Sequence, residues 1–181
     1  MKRRHVVIAA AVTGAAGLAT ALWRSQSSQR GQALSAAELA FWKMRFPRPE
    51  GGELALATWQ GRPLLLNFWA TWCAPCVTEM PLLDSFHRSQ GERGVQVLGL
   101  AVDSPTPVRE FLARRTMGFA IGLAGLDGIE LARALGNPSG ALPFSVLFDV
   151  SGRAVEHKLG ALHPPELQAW AGRFTADDGK R

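Results

Sequence analysis

Residues 67–81 read "NFWATWCAPCVTEMP", and this stretch contains both cysteines of the 181-residue chain, Cys73 and Cys76. The apolar run "PLLLNFW" at 63–69 predicts a strand buried at the centre of a sheet, because both of its faces must be covered. The segment that begins at Cys76, "CVTEMPLLDSFHRSQ", has helical spacing. The cysteine pair is therefore predicted to lie where a buried strand gives way to a helix.

Strand and helix patterns alternate along the rest of the chain. Further strands are predicted at "GGELALATWQG", "VQVLGLAVD", "GFAIGL" and, as a closing hairpin, "PFSVLFDVSGRAVEHKLGAL". Further helices are predicted at "AAELAFWKMRF", "PVREFLARRTM", "GIELARALG" and "PPELQAWAGRF". Alternating elements of this kind predict an α/β fold with helices flanking a central sheet, and the closing hairpin makes that sheet mixed.

Composition is that of one globular domain, with 47% apolar and 19% charged residues. Four of the 20 basic residues lie in the first 24 positions, so 16 basic residues face 15 acidic ones in residues 25–181. No Lys/Arg run is interleaved with aromatic residues, as a nucleic-acid groove would require. We therefore expect a nearly neutral domain that does not bind nucleic acid.

The N-terminus has a separate pattern, in which the basic start "MKRRH" precedes an apolar run at 6–22. This pattern predicts an export signal or membrane anchor in residues 1–24, and the two forms remain open. Residues 25–36, rich in Ser, Gln and Gly, are predicted to be a flexible linker. The folded domain is expected at 37–176, with a tail at 177–181. In either form of the N-terminus, the domain would face outside the cytoplasm.

The spacing of the cysteine pair favours redox chemistry over a structural role. A disulfide between residues this close closes too short a loop to stabilise a chain of this length. Near a helix N-terminus the unpaired backbone N–H groups favour an anion, so the pKa of the Cys73 thiol is expected to fall. Cys76, one turn further along and less exposed, is placed to attack a mixed disulfide on Cys73.

Metal-based interpretations of the C-x-x-C pair are weaker. A c-type haem site needs His after the second cysteine, where this chain has Val77. His87, His157 and His163 do not form the second ligand pair of a zinc site. We assign no metal, although a non-enzymatic protein that carries Cu(I) on the two thiolates remains an alternative.

The segment "LNFWATWCAPCVTEMP" resembles the active site of the TlpA/ResA-like branch of the thioredoxin superfamily, membrane-tethered extracytoplasmic thiol-disulfide oxidoreductases. Weaker similarity extends over residues 46–174. The resemblance implies a thioredoxin-like fold with an extra N-terminal hairpin and a central helix-strand insertion. The segment "PVREFLARRTMGFAIGL" at 107–123 has the character of that insertion.

The resemblance also assigns roles to residues around the cysteines. It implies a cis peptide bond before Pro143, with the backbone of Leu142 turned toward the thiols to pair with a substrate chain. Trp72 would shield the disulfide and contact partners, whereas Trp69 is predicted to belong to the core. Pro75 lies in the first helical turn, where its missing N–H is no loss.

Glu79 is a further candidate, because i to i+3 spacing places it on the same helix face as Cys76. Thioredoxins proper have a buried Asp in the preceding strand, where this chain has Asn67, which cannot take a proton. The family has a Glu at the position of Glu79, which would act as acid and base for Cys76. The alternative is an exposed glutamate in a surface ion pair.

The resemblance implies that the protein reduces disulfides of exported proteins in the bacterial periplasm, with apocytochrome c and copper-site proteins as candidate clients. An oxidant or isomerase of folding proteins is the alternative enzyme. The glycines of "GLAGLDG" do not follow a strand in a G-x-G-x-x-G pattern, so no nucleotide cofactor is expected. Electrons would then come from a membrane protein donor. A monomer is expected.

Overall fold

The computed structural model describes residues 33–175. The predicted signal or anchor at 1–24 and the predicted tail at 177–181 lie outside these residues, as does most of the predicted linker. The first helix, α1 (Ala36–Trp42), is capped by Ser35, whose hydroxyl accepts from the backbone N–H of Glu38, while the Glu38 carboxylate accepts from the N–H of Ser35. This reciprocal pair satisfies two backbone donors that a helix start leaves open.

The helix predicted at 36–46 ends at Trp42, and Arg45 and Phe46 instead begin the extra hairpin that the resemblance implies. Its strands, β1 (Arg45–Pro47) and β2 (Glu53–Ala55), pair antiparallel as a separate two-stranded sheet. A short 3-10 turn at Leu56–Trp59 follows and leads toward the central sheet.

The central sheet has five strands in the order β5-β4-β3-β6-β7. These strands are β3 (Leu64–Trp69), β4 (Gln96–Ala101), β5 (Ala120–Leu123), β6 (Phe144–Phe148) and β7 (Ala154–Leu159). Strands β3, β4 and β5 run parallel, whereas β6 is antiparallel to β3 and β7 is antiparallel to β6. The predicted mixed sheet is therefore confirmed. All residues of β3 and β4 are buried, which explains their continuous apolar sequences.

Four more helices cover the sheet: α2 (Ala74–Gln90), α3 (Pro105–Arg114), α4 (Gly128–Ala134) and α5 (Pro164–Thr175). The predicted helix-strand insertion corresponds to α3 and β5, and its strand forms one edge of the sheet. Pro81 lies inside α2, where it removes one backbone hydrogen bond. Among residues 33–175, no helix combines the length and apolar character that crossing a membrane requires.

Helices α2, α3 and α5 share one apolar core with the sheet. Trp69 of β3, Leu83 of α2, Phe111 of α3 and Trp170 of α5 belong to this core, and so do both cysteines. The indole of Trp69 is fully buried, as its predicted core position requires.

The N-terminal helix is held to the turn between β6 and β7. Phe41 stacks on Phe148 with ring centroids 4.8 Å apart, and Trp42 Nε1 donates to the carbonyl of Gly152 at 2.7 Å. Gly152 has φ +83°, and a Cβ there would lie 2.8 Å from the Trp42 nitrogen, so the turn requires glycine. Glu38 adds a hydrogen bond from the N–H of Ala154 at 2.6 Å.

Candidate active site

Cys73 and Cys76 are joined by a disulfide at the start of α2, with their Cα atoms 5.2 Å apart. Cys73 is the N-cap residue, and its sulfur accepts a hydrogen bond from the backbone N–H of Cys76 at 3.3 Å. Cys73 retains 6% of its surface and Cys76 none. Of the two cysteines, only Cys73 therefore reaches solvent.

The loop between β3 and α2 is fixed by a carboxylate that sequence analysis missed. Asp103 Oδ2 accepts from the backbone N–H and the hydroxyl of Thr71, at 3.0 and 2.5 Å, and its Oδ1 accepts from Ser104 N–H at 2.7 Å. Asp103 follows the parallel strand β4, so it reaches the same sheet edge as Thr71. In the sequence, the only indication of this role was that an acidic residue directly follows the buried strand β4. Trp72, next to Thr71, is 64% exposed.

The peptide bond between Leu142 and Pro143 is cis, as the resemblance implied. Pro143 immediately precedes β6, whose first residue, Phe144, pairs with Phe68 near the end of β3. The proline thus lies at the end of the sheet where β3 leads into the disulfide. Pro143 C=O accepts from Gly160 N–H at 2.9 Å, whereas within residues 33–175 the backbone N–H and C=O of Leu142 have no hydrogen-bond partner.

Leu142 and Pro75 border the disulfide in different ways. The side chain of Leu142 is partly buried against the core cluster that contains both cysteines. Pro75 lies in the first turn of α2, between the two cysteines in sequence. The N–H groups in the first turn of any α-helix have no carbonyl partner within the helix. A proline at this position, which lacks an N–H, therefore costs α2 no hydrogen bond.

Glu79 is buried, with 4% of its surface exposed. Its Oε1 accepts from the side-chain amide of Asn67 and its Oε2 from the backbone N–H of Leu162, both at 2.8 Å. Burial raises the pKa of Glu79, although the hydrogen bonds from Leu162 and Asn67 oppose the rise. The alternative of an exposed glutamate in a surface pair is therefore wrong.

Asn67 extends this polar group into the sheet. Its amide nitrogen also donates to the hydroxyl of Ser145 at 3.0 Å, and Ser145 is its cross-strand neighbour on β6. Neither residue has any exposed surface. Ser145 was not among the predicted site residues, and its only signal was its place two residues after Pro143 in the predicted strand. Within residues 33–175, no cluster of three or more His, Cys, Asp or Glu side chains is arranged as a metal site.

Comparison with known proteins agrees with this geometry. The model of the Redoxin family matches residues 32–170. Thiol-disulfide oxidoreductase ResA of Bacillus thuringiensis (strain Al Hakam) is 30% identical over 127 residues, which are 70% of this chain and 71% of the relative. This chain is a ResA-like member of the redoxin family. ResA of Geobacillus thermodenitrificans is also 30% identical, over 66% of this chain and 67% of the relative.

Solved structures share the fold of this ResA-like protein. A thioredoxin-related protein from Neisseria meningitidis serogroup B superposes with a TM-score of 0.65 at 22% identity, over 74% of this chain and 99% of that one. A secreted Mycobacterium tuberculosis disulfide oxidoreductase superposes with a TM-score of 0.62 at 20% identity, over 77% and 100%. The thioredoxin-like fold is confirmed. With its ResA relatives, it identifies the chain as a thiol-disulfide oxidoreductase acting on thiols and disulfides.

Proposed function

We propose that this ResA-like enzyme reduces disulfides of exported proteins outside the cytoplasm, with Cys73 as nucleophile, Cys76 as resolving thiol and Glu79 as its acid and base. The observation that carries the proposal is the asymmetry of the site. Cys73 lies at a helix N-terminus and retains 6% of its surface, whereas Cys76 is fully buried on the helix face that carries the buried Glu79.

The reaction has two thiol-disulfide exchanges. The Cys73 thiolate attacks one sulfur of a client disulfide, which forms a mixed disulfide and releases the other client sulfur as a thiolate. Cys76 then gives its proton to the Glu79 carboxylate and attacks Cys73 Sγ. The second client thiolate leaves, the Cys73–Cys76 disulfide closes, and two electrons have passed to the client.

The surroundings of Cys73 support its role as nucleophile. The open N–H groups and dipole of α2 favour a negative charge at its first residues. The Cys76 N–H already donates to Cys73 Sγ, and a hydrogen bond of this kind is stronger to a thiolate than to a neutral sulfur. We expect no cofactor to be involved, so a protein donor must return two electrons.

Trp72 and the Leu142–Pro143 segment would bind the client. The exposed indole of Trp72 offers apolar contact beside Cys73. The backbone N–H and C=O of Leu142, which have no partner in the described part of the chain, can pair with an extended client segment as an added strand. Pro75 would hold the backbone of the first turn of α2 in helical geometry between the two cysteines.

Residues 1–24 are proposed to export the domain or hold it at the membrane, and 177–181 are proposed to be a tail. The linker predicted at 25–36 is proposed to end where Ser35 caps α1, so the domain predicted at 37–176 begins with that helix. A membrane protein is the proposed electron donor. The basic start before an apolar run supports this topology. We expect the domain to act as a monomer. A reporter enzyme that is active only outside the cytoplasm, fused after Arg181, should be active. An inactive but intact fusion would contradict the location.

The chemistry is tested by trapping clients in cells with Cys76→Ser, which leaves the mixed disulfide on Cys73 unresolved. Exported proteins with cysteine pairs should be recovered, and they should be absent with the Cys73→Ser/Cys76→Ser control. Recovery of the same proteins in the same amounts from both variants would contradict the assigned roles. Rapid alkylation of intact cells should find the wild-type pair mostly reduced, whereas a mostly oxidised pair would favour the oxidant alternative.

A further inference from the structure

Asn67 has an asymmetric set of hydrogen bonds at the centre of the site. Its Nδ2 donates both to Glu79 Oε1 and to Ser145 Oγ, at 2.8 and 3.0 Å. Its Oδ1 is buried and has no hydrogen-bond partner within residues 33–175. A buried carbonyl oxygen without a donor is costly, so its persistence here calls for a functional explanation.

The observed arrangement suits the ionised form of Glu79. Both carboxylate oxygens accept N–H groups, one from Asn67 and one from Leu162. When Glu79 takes a proton, one oxygen becomes a donor. The Leu162 backbone N–H can only donate, and an unprotonated oxygen is the better acceptor for it, so the geometry favours Oε2 as the acceptor and places the new O–H on Oε1, next to Asn67. There it would meet the Asn67 NH₂ group, which is also a donor.

A half-turn of the Asn67 carboxamide removes this conflict. Oδ1 and Nδ2 exchange places, so that Oδ1 faces both neighbours. It then accepts from the protonated Glu79, and the Ser145 hydroxyl, which can donate as well as accept, donates to the same oxygen. When Glu79 is ionised, Asn67 Nδ2 bonds to both Glu79 and Ser145. When Glu79 is protonated, Asn67 Oδ1 takes that place.

We propose that Asn67 is a positioning residue that reverses its hydrogen bonds when Glu79 gains or loses a proton, with the Ser145 hydroxyl turning with it. This inference rests on the proposed function of Glu79 as proton acceptor for Cys76. Neither a carboxamide nor a serine hydroxyl changes its charge at the pH values where carboxyl groups titrate. The network therefore holds the proton of Glu79 inside the core without a second ionisable group.

Several charged groups on the surrounding elements have partners of their own. Asp103, after β4, binds Thr71. Lys158 of β7 pairs with Glu166 of α5, and Glu156 of β7 pairs with Arg173 of α5. Within the described residues, Asn67 and Leu162 are the only hydrogen-bond partners of the Glu79 carboxylate. The reversal is therefore expected to follow Glu79 itself.

Nuclear magnetic resonance of the reduced, isotope-labelled full-length chain in detergent micelles tests the reversal directly. The Glu79 carboxyl carbon reports its protonation, and the Asn67 side-chain NH₂ signals report the amide. Glu79→Gln supplies a reference: its oxygen must face Leu162 N–H, so its NH₂ must face Asn67 and should hold the amide in the reversed orientation.

In the wild type, the Asn67 NH₂ signals should move in step with the Glu79 titration and exchange faster with solvent in the acid form. In Glu79→Gln they should stay at the acid-form position at every pH. The inference is overturned if the wild-type Asn67 signals do not follow Glu79, or if those of Glu79→Gln match the alkaline form.

A kinetic test uses a chromogenic aryl disulfide, whose two thiols are released in sequence by Cys73 and then by Cys76. Asn67→Leu should slow the second release by about tenfold, less than the roughly 10²-fold expected for loss of the carboxyl itself, and should alter its pH profile. Thr78→Ala, an exposed change on the same helix, should keep the wild-type profile. Superimposable profiles for folded Asn67→Leu and wild type would overturn the inference. Because no exported client takes part, failure here is distinct from failure of the trapping experiment.

Discussion

The backbone N–H of Leu162 donates to Oε2 of Glu79 at 2.8 Å, across 83 positions of sequence. The loop that carries Leu162 also holds Pro143, since Gly160 N–H donates to the proline carbonyl. One loop between β7 and α5 therefore covers the carboxyl and braces the cis-proline segment. This cover removes Glu79 from water, and the loss of solvation raises its pKa.

Glu79→Gln should preserve the fold and slow disulfide reduction by about 10²-fold, at the low end of the range for a positioned acid or base. Wild type should reduce disulfides faster than Glu79→Gln at pH values above the raised pKa of Glu79, where the carboxylate can accept a proton. The difference should disappear at pH values where Cys76 is already a thiolate and needs no proton acceptor. Because a carboxylate disfavours a nearby thiolate, its removal should also let Cys76 ionise at lower pH.

The measurement is client-disulfide reduction by the pre-reduced protein across pH, with circular dichroism to establish that both proteins are folded. Superimposable pH-rate curves would show that Glu79 takes no part in proton transfer.

Stability should depend on pH through the same carboxyl. The folded-state pKa of Glu79 lies above its usual 4.5, so the folded protein binds this proton more tightly than the unfolded chain. The resulting stabilisation is fully present below about pH 4.5 and is lost as pH rises through the raised pKa. In denaturant unfolding of the oxidised protein, the unfolding free energy of wild type relative to Glu79→Gln should therefore fall with rising pH. A constant difference would contradict the raised pKa.

Cys73 should be the more reactive thiol of the reduced protein. Its position at the N-terminus of α2 favours the thiolate, and it is the less buried residue of the pair. Brief alkylation at mildly acidic pH, followed by mass spectrometry of peptides, should find label on Cys73 first. Cys76→Ser should keep that labelling rate within a few fold, and preferential labelling of Cys76 would reverse the assigned roles.

Trp72→Ala should weaken client binding and leave thiol chemistry intact. Loss of a large exposed aromatic residue next to Cys73 in sequence should lower kcat/KM for a protein disulfide by about tenfold. The rate with a small aryl disulfide should stay within about twofold, because that substrate is too small to need the contact. Val150→Ala, an exposed apolar residue in the turn between β6 and β7, is the matched control. Equal losses with both substrates would mean that Trp72 acts on the cysteines.

Local sequence alone determined the elements of the central sheet and the position of the cysteine pair, but not the N-terminal hairpin, where a predicted helix gives way to β1 and a predicted strand to a 3-10 turn. The apolar run that forms β3 and the helical spacing of α2 are properties of neighbouring residues, so they placed Cys73 and Cys76 at a strand-to-helix junction. The mixed sheet followed from alternation of elements and the closing hairpin. The resemblance of the active-site segment added the cis bond before Pro143, which no local pattern specifies.

Only the tertiary structure decided what surrounds these residues. Spacing placed Glu79 on the Cys76 face but left open whether it was exposed, because burial depends on a loop 83 positions away. Asn67 and Ser145 are 78 positions apart and meet only through the pairing of β3 with β6, while Asp103 reaches Thr71 because two parallel strands end at one edge. Hydrogen bonds between distant residues depend on how elements pack, and that packing is a property of the whole folded chain.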